Sequence, residues 1–265
     1  MYTANNHTFA IIAYKENKYL EKTILSVLQQ TIKTNILLST STPNNHILSL
    51  CEKYGIDYVV NENSKGAGND WNNGYNACKT DLVTIVHQDD IYNCDYAEKI
   101  LTYANRSEDL LLMFTDYYEI REENAILNQK ILKIKRIMNY LLKFRCMWKN
   151  RFYRKFILSL GDSISCPTVT LNKNKIGLNA FDETLKNSCD YLTWVLLAKK
   201  TGEFIYIPNA LVGHRIYPES ATSSNIADSS RSREDLDIMM MLWPKWIAKI
   251  VHNQYIKAEE SNKIK

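Results

Sequence analysis

The sequence predicts an α/β protein with a mostly parallel central sheet, flanked by helices and extended by a helical C-terminal segment. Three observations predict it. Strand-like and helix-like segments alternate through the first half of the chain, an order that lays parallel strands side by side with helices on the sheet faces. Each strand candidate there ends in a polar cluster, at Tyr14 to Asn17, Ser39 to Thr42, Asn61 to Asn63 and His87 to Asp90. The carboxyl ends of parallel strands are where such folds bind ligands, so the clusters point to one crevice. The 265 residues are 45% hydrophobic, enough for a sizeable core in one large domain or two small ones.

In chain order, Thr8 to Tyr14 (TFAIIAY) reads as the first strand. Tyr19 to Gln30 reads as a helix because Leu20, Ile24, Val27 and Leu28 recur on one face. Asn35 to Ser41 (NILLSTS) is the next strand, and Pro43 opens a helix that turns Ile47, Leu48 and Leu50 inward. Asp57 to Glu62 (DYVVNE) is a third strand and Asp70 to Cys78 a short helix. Leu82 to Val86 is a buried, β-branched strand that stops at His87, Gln88, Asp89 and Asp90. After Leu110 to Ile120 (LLLMFTDYYEI) the alternation fails.

Short strands and turns return in SCPTVTLNK and GEFIYIPNALVGHRIY, with a helix from about Asp190 to Lys200 between them. Ser232 to Ala258 is helical apart from Pro244, and its Met and Leu stripe is a packing face. With no internal repeat and no low-complexity linker, one compact unit with a helical tail is expected.

The most asymmetric segment is Lys130 to Lys155, with ten basic residues and no acidic one among Ile, Leu, Met, Phe and Trp. Two readings fit it. It forms basic amphipathic helices on an anionic membrane surface, with Trp148, Phe152 and Tyr153 as interfacial anchors, or a solvated helix pair covering the sheet.

Bulk properties exclude several classes. A charged fraction of 23% and a net charge of +4 are ordinary, so nucleic acid is not expected as a partner. The cysteines at 51, 78, 94, 146, 166 and 189 include no CxxC pair, and no apolar run has the length of a membrane span or a signal-peptide core. Reduced cytosolic thiols and no structural zinc are expected. There is no GxGxxG fingerprint and no phosphate loop ending in GK[ST], and Gly66 and Gly68 in SKGAGNDW are spaced wrongly for either. Dinucleotide and kinase-type chemistry are disfavoured.

Two adjacent carboxylates at the end of a buried strand repel each other, and each is costly to desolvate unless a cation is near. Asp89 and Asp90 therefore read as ligands for a divalent metal. Standing alone, they would read first as a solvated pair that starts a turn or caps the helix near Tyr96.

The order and spacing of four segments resemble glycosyltransferase family 2, the inverting enzymes of the Rossmann-like GT-A fold that transfer a sugar from a nucleotide diphosphate. They are FAIIAYKENKYLEKTILSVLQQT, NSKGAGNDWNNGYNACKTDLVTIVHQDD, CPTVTLNKNKIGLNAFDETLKNSCDYLTWVLLAKKTG and IPNALVGHRIYPESAT, spanning most of residues 8 to 222. The resemblance implies a divalent metal, Mn²⁺ or Mg²⁺, that offsets the diphosphate charge growing as the glycosidic bond breaks. Asp89 and Asp90 are its implied ligands, and the sequence leaves open which of them binds directly. His87 stands where family members commonly carry an acidic residue. It is a nucleotide-site candidate, whether as metal ligand, ribose partner or closure of the strand end.

Inverting transfer needs one carboxylate to take the proton of the acceptor hydroxyl. Asp190 stands at the family's base position, before a helix whose Leu192, Val195 and Leu196 can bury and hold it, although read alone it is a helix cap. Cys189 stands where the family more often has an acidic neighbour. Ala13, Tyr14 and Glu16 match the positions that meet the nucleoside, Tyr14 by stacking on the base and Glu16 by accepting a hydrogen bond from base or ribose. Thr40 or Thr42 takes the place of a base-contacting Asp. Asp70 falls where the nucleotide half meets the acidic motif, with Lys65 in reach of a phosphate. His214 and Arg215, beside Ser220 and Thr222, match a late loop that closes over the diphosphate with a metal-binding His or a phosphate-binding Arg.

The expectation is a metal-dependent inverting glycosyltransferase moving a sugar from a UDP- or dTDP-sugar to a glycan or lipid-linked glycan acceptor. Its setting would be surface polysaccharide synthesis, in the cytoplasm at the inner face of the cell membrane. The transferase domain is drawn at residues 1–225, with a nucleotide half to about 120 and an acceptor half from about 121 that includes the basic segment. A helical tail covers 226–265. Two rivals come from other classes. A silent nucleotide- or carbohydrate-binding module would keep Tyr14 and the crevice without needing Asp190, and a peripheral membrane adaptor would act through Lys130 to Lys155. A sugar nucleotidyltransferase would want a glycine-rich basic loop after the first strand, which AYKENKYL does not supply.

Overall fold

Seven consecutive buried residues make β1 (His7–Ala13), the mark of a strand covered on both faces. The computed structural model describes residues 1–218 and 229–260. Parallel to β1 on either side lie β2 (Asn35–Thr40) and β4 (Leu82–His87), and β3 (Asp57–Val60) continues beyond β2. The helices between them are α1 (Leu20–Leu28), α2 (Asn45–Tyr54) and α3 (Ala67–Ala77). The expected alternation is present. At α2 the start is set by Asn44, whose side chain accepts from the Ile47 N–H at 3.0 Å, so Pro43 precedes the cap and does not open the helix itself.

Past β4 the sheet becomes mixed. β8 (Val169–Asn172) pairs antiparallel with β4 and with β6 (Leu110–Arg121), and β9 (Glu203–Arg215) runs parallel to β6. Two short strands that the pattern does not mark, β5 (Ile91–Tyr92) and β7 (Asn124–Ile126), add antiparallel pairs to β9 and β6. The strand order is β3-β2-β1-β4-β8-β6-β9-β5. GEFIYIPNALVGHRIY, expected as short strands, includes the single 13-residue β9. Pro208 and Asn209 fall where the register slips between Ile207↔Thr115 and Ala210↔Asp116, and that irregularity accommodates a residue with no N–H to give the ladder.

Alternate residues of β1 enter two cores, as the two-residue period requires. Phe9, Ile11 and Ala13 pack with Leu20 and Ile24 of α1, Ile47 of α2, and Ile100 of α4 (Tyr96–Ala104). Ala10 and Ile12 pack with Tyr75 of α3, Ile157 of α6 (Arg151–Leu158) and Trp194 of α8 (Cys189–Lys199). α3 reaches the sheet through Gly74, where a Cβ would lie 2.6 Å from Ile12 Cδ1. Gly74 thus serves close packing, as does Gly68 against the Asp182 carbonyl.

The basic segment contains α5 (Lys130–Asn139) and α6, joined through 3-10 turns. The structure corrects part of its reading. Trp148 is buried in the core and cannot be an interfacial anchor, and Tyr153 gives its hydroxyl to Met138 O at 2.6 Å; Phe152 does face outward, 79% exposed. Several of the basic residues are engaged within the protein, Arg151 among them through the Lys199 carbonyl. Arg154 is fully buried and donates to the carbonyls of Ala198, Lys200 and Gly202 at the end of α8, where a cation suits the helix terminus. Arg136 pairs with Asp116, and Arg145 and Lys149 with Glu108.

After α7 (Lys173–Ile176) and α8, the chain ends in α9 (Ser229–Met240) and α10 (Lys245–Glu260). Ile238 and Met239 are buried and the Trp243 indole donates to Ser159 O at 2.9 Å, so this extension packs on the body. Ser220 and Thr222 lie outside the described residues. No helix among the described residues is long and apolar enough to cross a membrane.

Candidate active site

Pairing register brings the ends of β1 and β4 together, with Ile12 opposite His87. Gln88 seals the join: its Oε1 accepts from the Tyr14 N–H at 2.8 Å and its Nε2 donates to Tyr14 O at 3.1 Å. Ala13 is buried beneath, while Tyr14 and Glu16 are exposed. Lys15 takes a left-handed conformation, φ 56°, with its N–H on Thr42 Oγ1 and its ammonium 5.1 Å from the Tyr14 ring. Thr40 is buried, and its hydroxyl accepts from the Thr42 N–H at 3.1 Å. Both threonine hydroxyls are therefore engaged within the protein.

Asp70 is nearly buried in the first turn of α3. It accepts from Ser41 Oγ at 2.9 Å and from Asn61 Nδ2 at 2.7 Å, tying the ends of β2 and β3 to that helix. Lys65 stays exposed at the rim, its N–H on Asn69 Oδ1 at 3.3 Å.

The two carboxylates of the acidic motif are treated differently. Asp90 is fully buried; its Oδ1 accepts from His214 Nδ1 and from the Arg215 N–H, both at 2.9 Å. Burial works against its charge, but His214, His87 and the Arg215 N–H outweigh that and hold its carboxyl below the usual range. His214 is partly buried, and although desolvation works to lower it, the charge and hydrogen bond of Asp90 lift it above the ordinary histidine value. The two form an ion pair. Asp89 has its Oδ2 on the Tyr217 hydroxyl at 2.8 Å, and burial together with the charge of Asp90 pushes its carboxyl up.

Arg215 is placed differently from the phosphate clamp expected of it. It is buried, donates to Asp89 O at 3.1 Å and to Glu123 at 2.8 Å, and lies 4.0 Å from the Tyr19 ring centre. That geometry braces the acidic motif.

His87 lies stacked on Trp71, 5.3 Å between ring centres. Its Nε2 and Asp90 Oδ2 are both buried with no hydrogen-bond partner. The ring meets Asp90 Oδ2 through its other nitrogen, Nδ1, at 3.7 Å, and a buried carboxylate oxygen with no hydrogen bond fits a cation. Among the described residues, no group of three His, Cys, Asp or Glu side chains stands ready to hold a metal unaided.

The base candidate stands on α8. Asp190 is half-buried in the first turn of α8 and accepts from the Tyr191 N–H at 2.9 Å. The helix is held through Tyr191 Oη on Leu158 O, 2.6 Å, and Trp194 Nε1 on Ile164 O, 3.2 Å. Val195 is buried as expected, but Leu196 faces outward, and Trp194 does the packing assigned to it. The buried Cys166 thiol is pushed up by burial, then by Asp190, Cys189, Asp162 and Asp90. Cys166 thus feels the charge of both the acidic motif and Asp190.

Asp162 is a carboxylate that the sequence reading did not single out. It is buried, and burial and the charge of Asp190 push it up to about 7, against the pull of Lys135 and Arg231. A raised carboxyl holds its proton in the folded state after the unfolded chain has released it, so this group makes stability fall as pH rises from about 4 to about 7. Asp162→Asn is expected to remove that decline, with a gain over the wild type larger at about pH 8 than at about pH 5 in urea unfolding. An equal effect at both values would show that Asp162 does not titrate in that range.

Sequence and structure comparisons agree on what this site belongs to. The model of the Glycosyl transferase family 2 matches residues 8–164, which include β1, the acidic motif and β6. The chain belongs to glycosyl transferase family 2. An uncharacterized glycosyltransferase of Methanocaldococcus jannaschii is 27% identical over 209 residues, covering 75% of this chain and 66% of the relative, just under two thirds of its length. Among solved structures, TarS of S. aureus in complex with UDP-GlcNAc superposes with a TM-score of 0.65 at 14% identity, over 97% of this chain and 73% of that one. A mannosyltransferase of Pyrobaculum calidifontis in complex with GDP-Man and Mn²⁺ gives 0.67 at 10% identity, over 97% and 70%. At such identities the superpositions establish the fold, which is the GT-A fold expected of family 2.

In this family 2 chain the motif residues converge, and several partners escaped the sequence reading. Tyr217 links Asp89 to Asn17, whose amide donates to it at 3.0 Å. Gln88 was visible only as part of the motif. Trp71 carried one usable signal, an aromatic one residue after Asp70 at the mouth of the crevice.

Proposed function

We propose that this chain is a metal-dependent inverting glycosyltransferase that moves a sugar from a nucleoside diphosphate sugar, preferentially a UDP- or dTDP-sugar, to a hydroxyl of a glycan or lipid-linked glycan acceptor. The observation that carries the reading is that the acidic motif ends β4 while a lone carboxylate, Asp190, starts α8, both near enough to raise the buried Cys166 thiol. That separation of roles is what inversion requires, with the leaving diphosphate and the attacking hydroxyl on opposite faces of the sugar carbon.

In this reading Tyr14 stacks on the base and Glu16 meets the nucleoside at the end of β1, with Lys65 at the phosphate side. Asp89 and Asp90, beside His87, are the residues that would hold a divalent ion, and His214 could join them only by giving up its proton and its bond to Asp90. Such an ion supplies positive charge where the diphosphate leaves. The protein offers a partial shell, and diphosphate oxygens complete it, the usual arrangement for Mg²⁺-type sites. Asp190 takes the proton as the acceptor oxygen bonds to the sugar carbon and the bond to the diphosphate breaks, its electron pair leaving with the diphosphate.

The test is incubation with nucleotide sugars and a glycan acceptor, following released diphosphate and the anomeric configuration of the product by NMR. An inverted linkage is expected. A retained one would contradict the mechanism.

The work belongs to surface polysaccharide synthesis at the cytoplasmic face of a membrane. Residues 1–225 form the transferase unit in this reading, with nucleotide recognition in about the first 120. The outward face of α5 and α6 supports the membrane contact. Ile137 (74% exposed), Tyr140, Phe144, Phe152 and Phe156 are all exposed, with the Tyr140 and Phe144 rings 5.8 Å apart and the two segments tied by the Tyr153–Met138 hydrogen bond. Lys143 lies 3.7 Å from the Tyr140 ring centre, and Arg151 and Lys155 flank Phe152 and Phe156 along α6. Exposed aromatics rimmed by cations suit anionic lipid. Flotation with anionic vesicles is expected to carry the protein, Phe152→Ser with Phe156→Ser to lower the bound fraction about tenfold, and neutral vesicles to bind little. Protein left wholly in solution would remove the membrane part alone.

A further inference from the structure

The C-terminal helices reach the base side of the crevice through one carboxylate. Glu234 of α9 accepts from three consecutive backbone N–H groups that lead into α8: Lys186 at 3.0 Å, and Asn187 and Ser188 both at 2.9 Å. The next residue adds a fourth bond, with Asp235 Oδ1 accepting from Ser188 Oγ at 2.7 Å. Ser188 is the N-cap of α8, yet its side chain makes no capping bond to its own helix. The bonds from α9 therefore hold the residues that lead into α8 and not the N–H groups of its first turn.

A carboxylate at a helix N-terminus is favoured by the helix dipole, and consecutive N–H groups converging on one anion form an anion-binding nest. Here the anion is internal, and the nest ends two residues before Asp190. α9 is a firm support for it, since Asp235, Ile238 and Met239 are buried.

We propose that Glu234 is a positioning residue for Asp190: it fixes residues 186–188, and with them the first turn of α8, so that the base carboxylate meets the acceptor hydroxyl. The inference rests on the transferase reading above, and it makes the C-terminal extension part of the catalytic apparatus. Misplacing a catalytic group by about 1 Å can cost about a hundredfold in rate, so a clamp of this kind acts on turnover more than on affinity.

The experiment is steady-state kinetics of Glu234→Ala and Glu234→Gln, alone and in the Asp190→Asn background, together with amide hydrogen exchange. Glu234→Ala is expected to lower kcat about tenfold or more, with donor KM and nucleotide Kd unchanged. Glu234→Gln, which keeps one accepting oxygen, is expected to recover part of the loss. In the Asp190→Asn background Glu234→Ala should add nothing, because it acts through the residue already removed. Exchange at 186–188 is expected to speed up in Glu234→Ala. Full kcat in Glu234→Ala, a further multiplicative loss in the double variant, or a Kd that weakens in step with kcat would each overturn the positioning role. A wild type that transfers no sugar from any nucleotide donor would sink the reading beneath it, whereas unchanged exchange at 186–188 would sink the clamp itself.

Discussion

Asp190→Asn is expected to lower the turnover of sugar transfer by about 10²–10⁴-fold, the usual contribution of a positioned general base, with nucleotide affinity unchanged. Asparagine keeps the shape and an oxygen that can accept the Tyr191 N–H, so the helix start is preserved and only basicity is lost. Substitution in the acidic corner should do the reverse and weaken nucleotide binding first. The pair of measurements, initial rates and nucleotide titration on the same preparations, separates catalysis from recognition. Transfer at the wild-type rate by Asp190→Asn would move the base elsewhere, with Asp162 the nearest carboxylate to examine.

The largest stability effect is expected at His214. His214→Ala takes from the fully buried Asp90 its hydrogen-bonded imidazole and leaves only His87, at 3.7 Å, and the Arg215 N–H, and breaking a buried pair from one side costs about 3–5 kcal/mol. Asp89→Asn should behave oppositely. The fold already disfavours the Asp89 charge, through burial and the neighbouring Asp90, so removing that charge should leave stability equal or higher while the metal-dependent part of nucleotide binding disappears. A strained carboxylate at a strand end is the signature of a group retained for function. Urea unfolding of both variants checks the contrast. Equal losses would mean that both aspartates are structural.

The legible part of this protein is the part where function and local pattern coincide. The β1 to β4 half announces itself through runs of apolar residues, and Asp89, Asp90 and Asp190 stand out because carboxylates beside buried segments need a reason. The partners that give those residues their properties come from far along the chain. Tyr217 is 128 residues from Asp89, and Glu234 is 46 from the Ser188 N–H that it accepts, and nothing local marks either one.

The basic segment shows a different limit. Its amphipathic pattern reveals two faces but not which residues the intervening 3-10 turns rotate inward, so Trp148 reads as an anchor and is in fact core. Likewise Arg215 reads as a phosphate ligand, because only the fold shows that Glu123, Asp89 O and the Tyr19 ring surround it.

The account turns on whether the crevice binds a nucleoside diphosphate through a metal held at Asp89 and Asp90. Thermal unfolding of the intact protein with UDP, GDP, dTDP or CMP, each with Mn²⁺, with Mg²⁺ and with EDTA, measures this directly. At about a hundred times its dissociation constant the right diphosphate is expected to add about 2.7 kcal/mol of stability, an effect that EDTA removes and Asp89→Asn lacks. Equal stability with every nucleotide, with or without metal, would contradict the central claim.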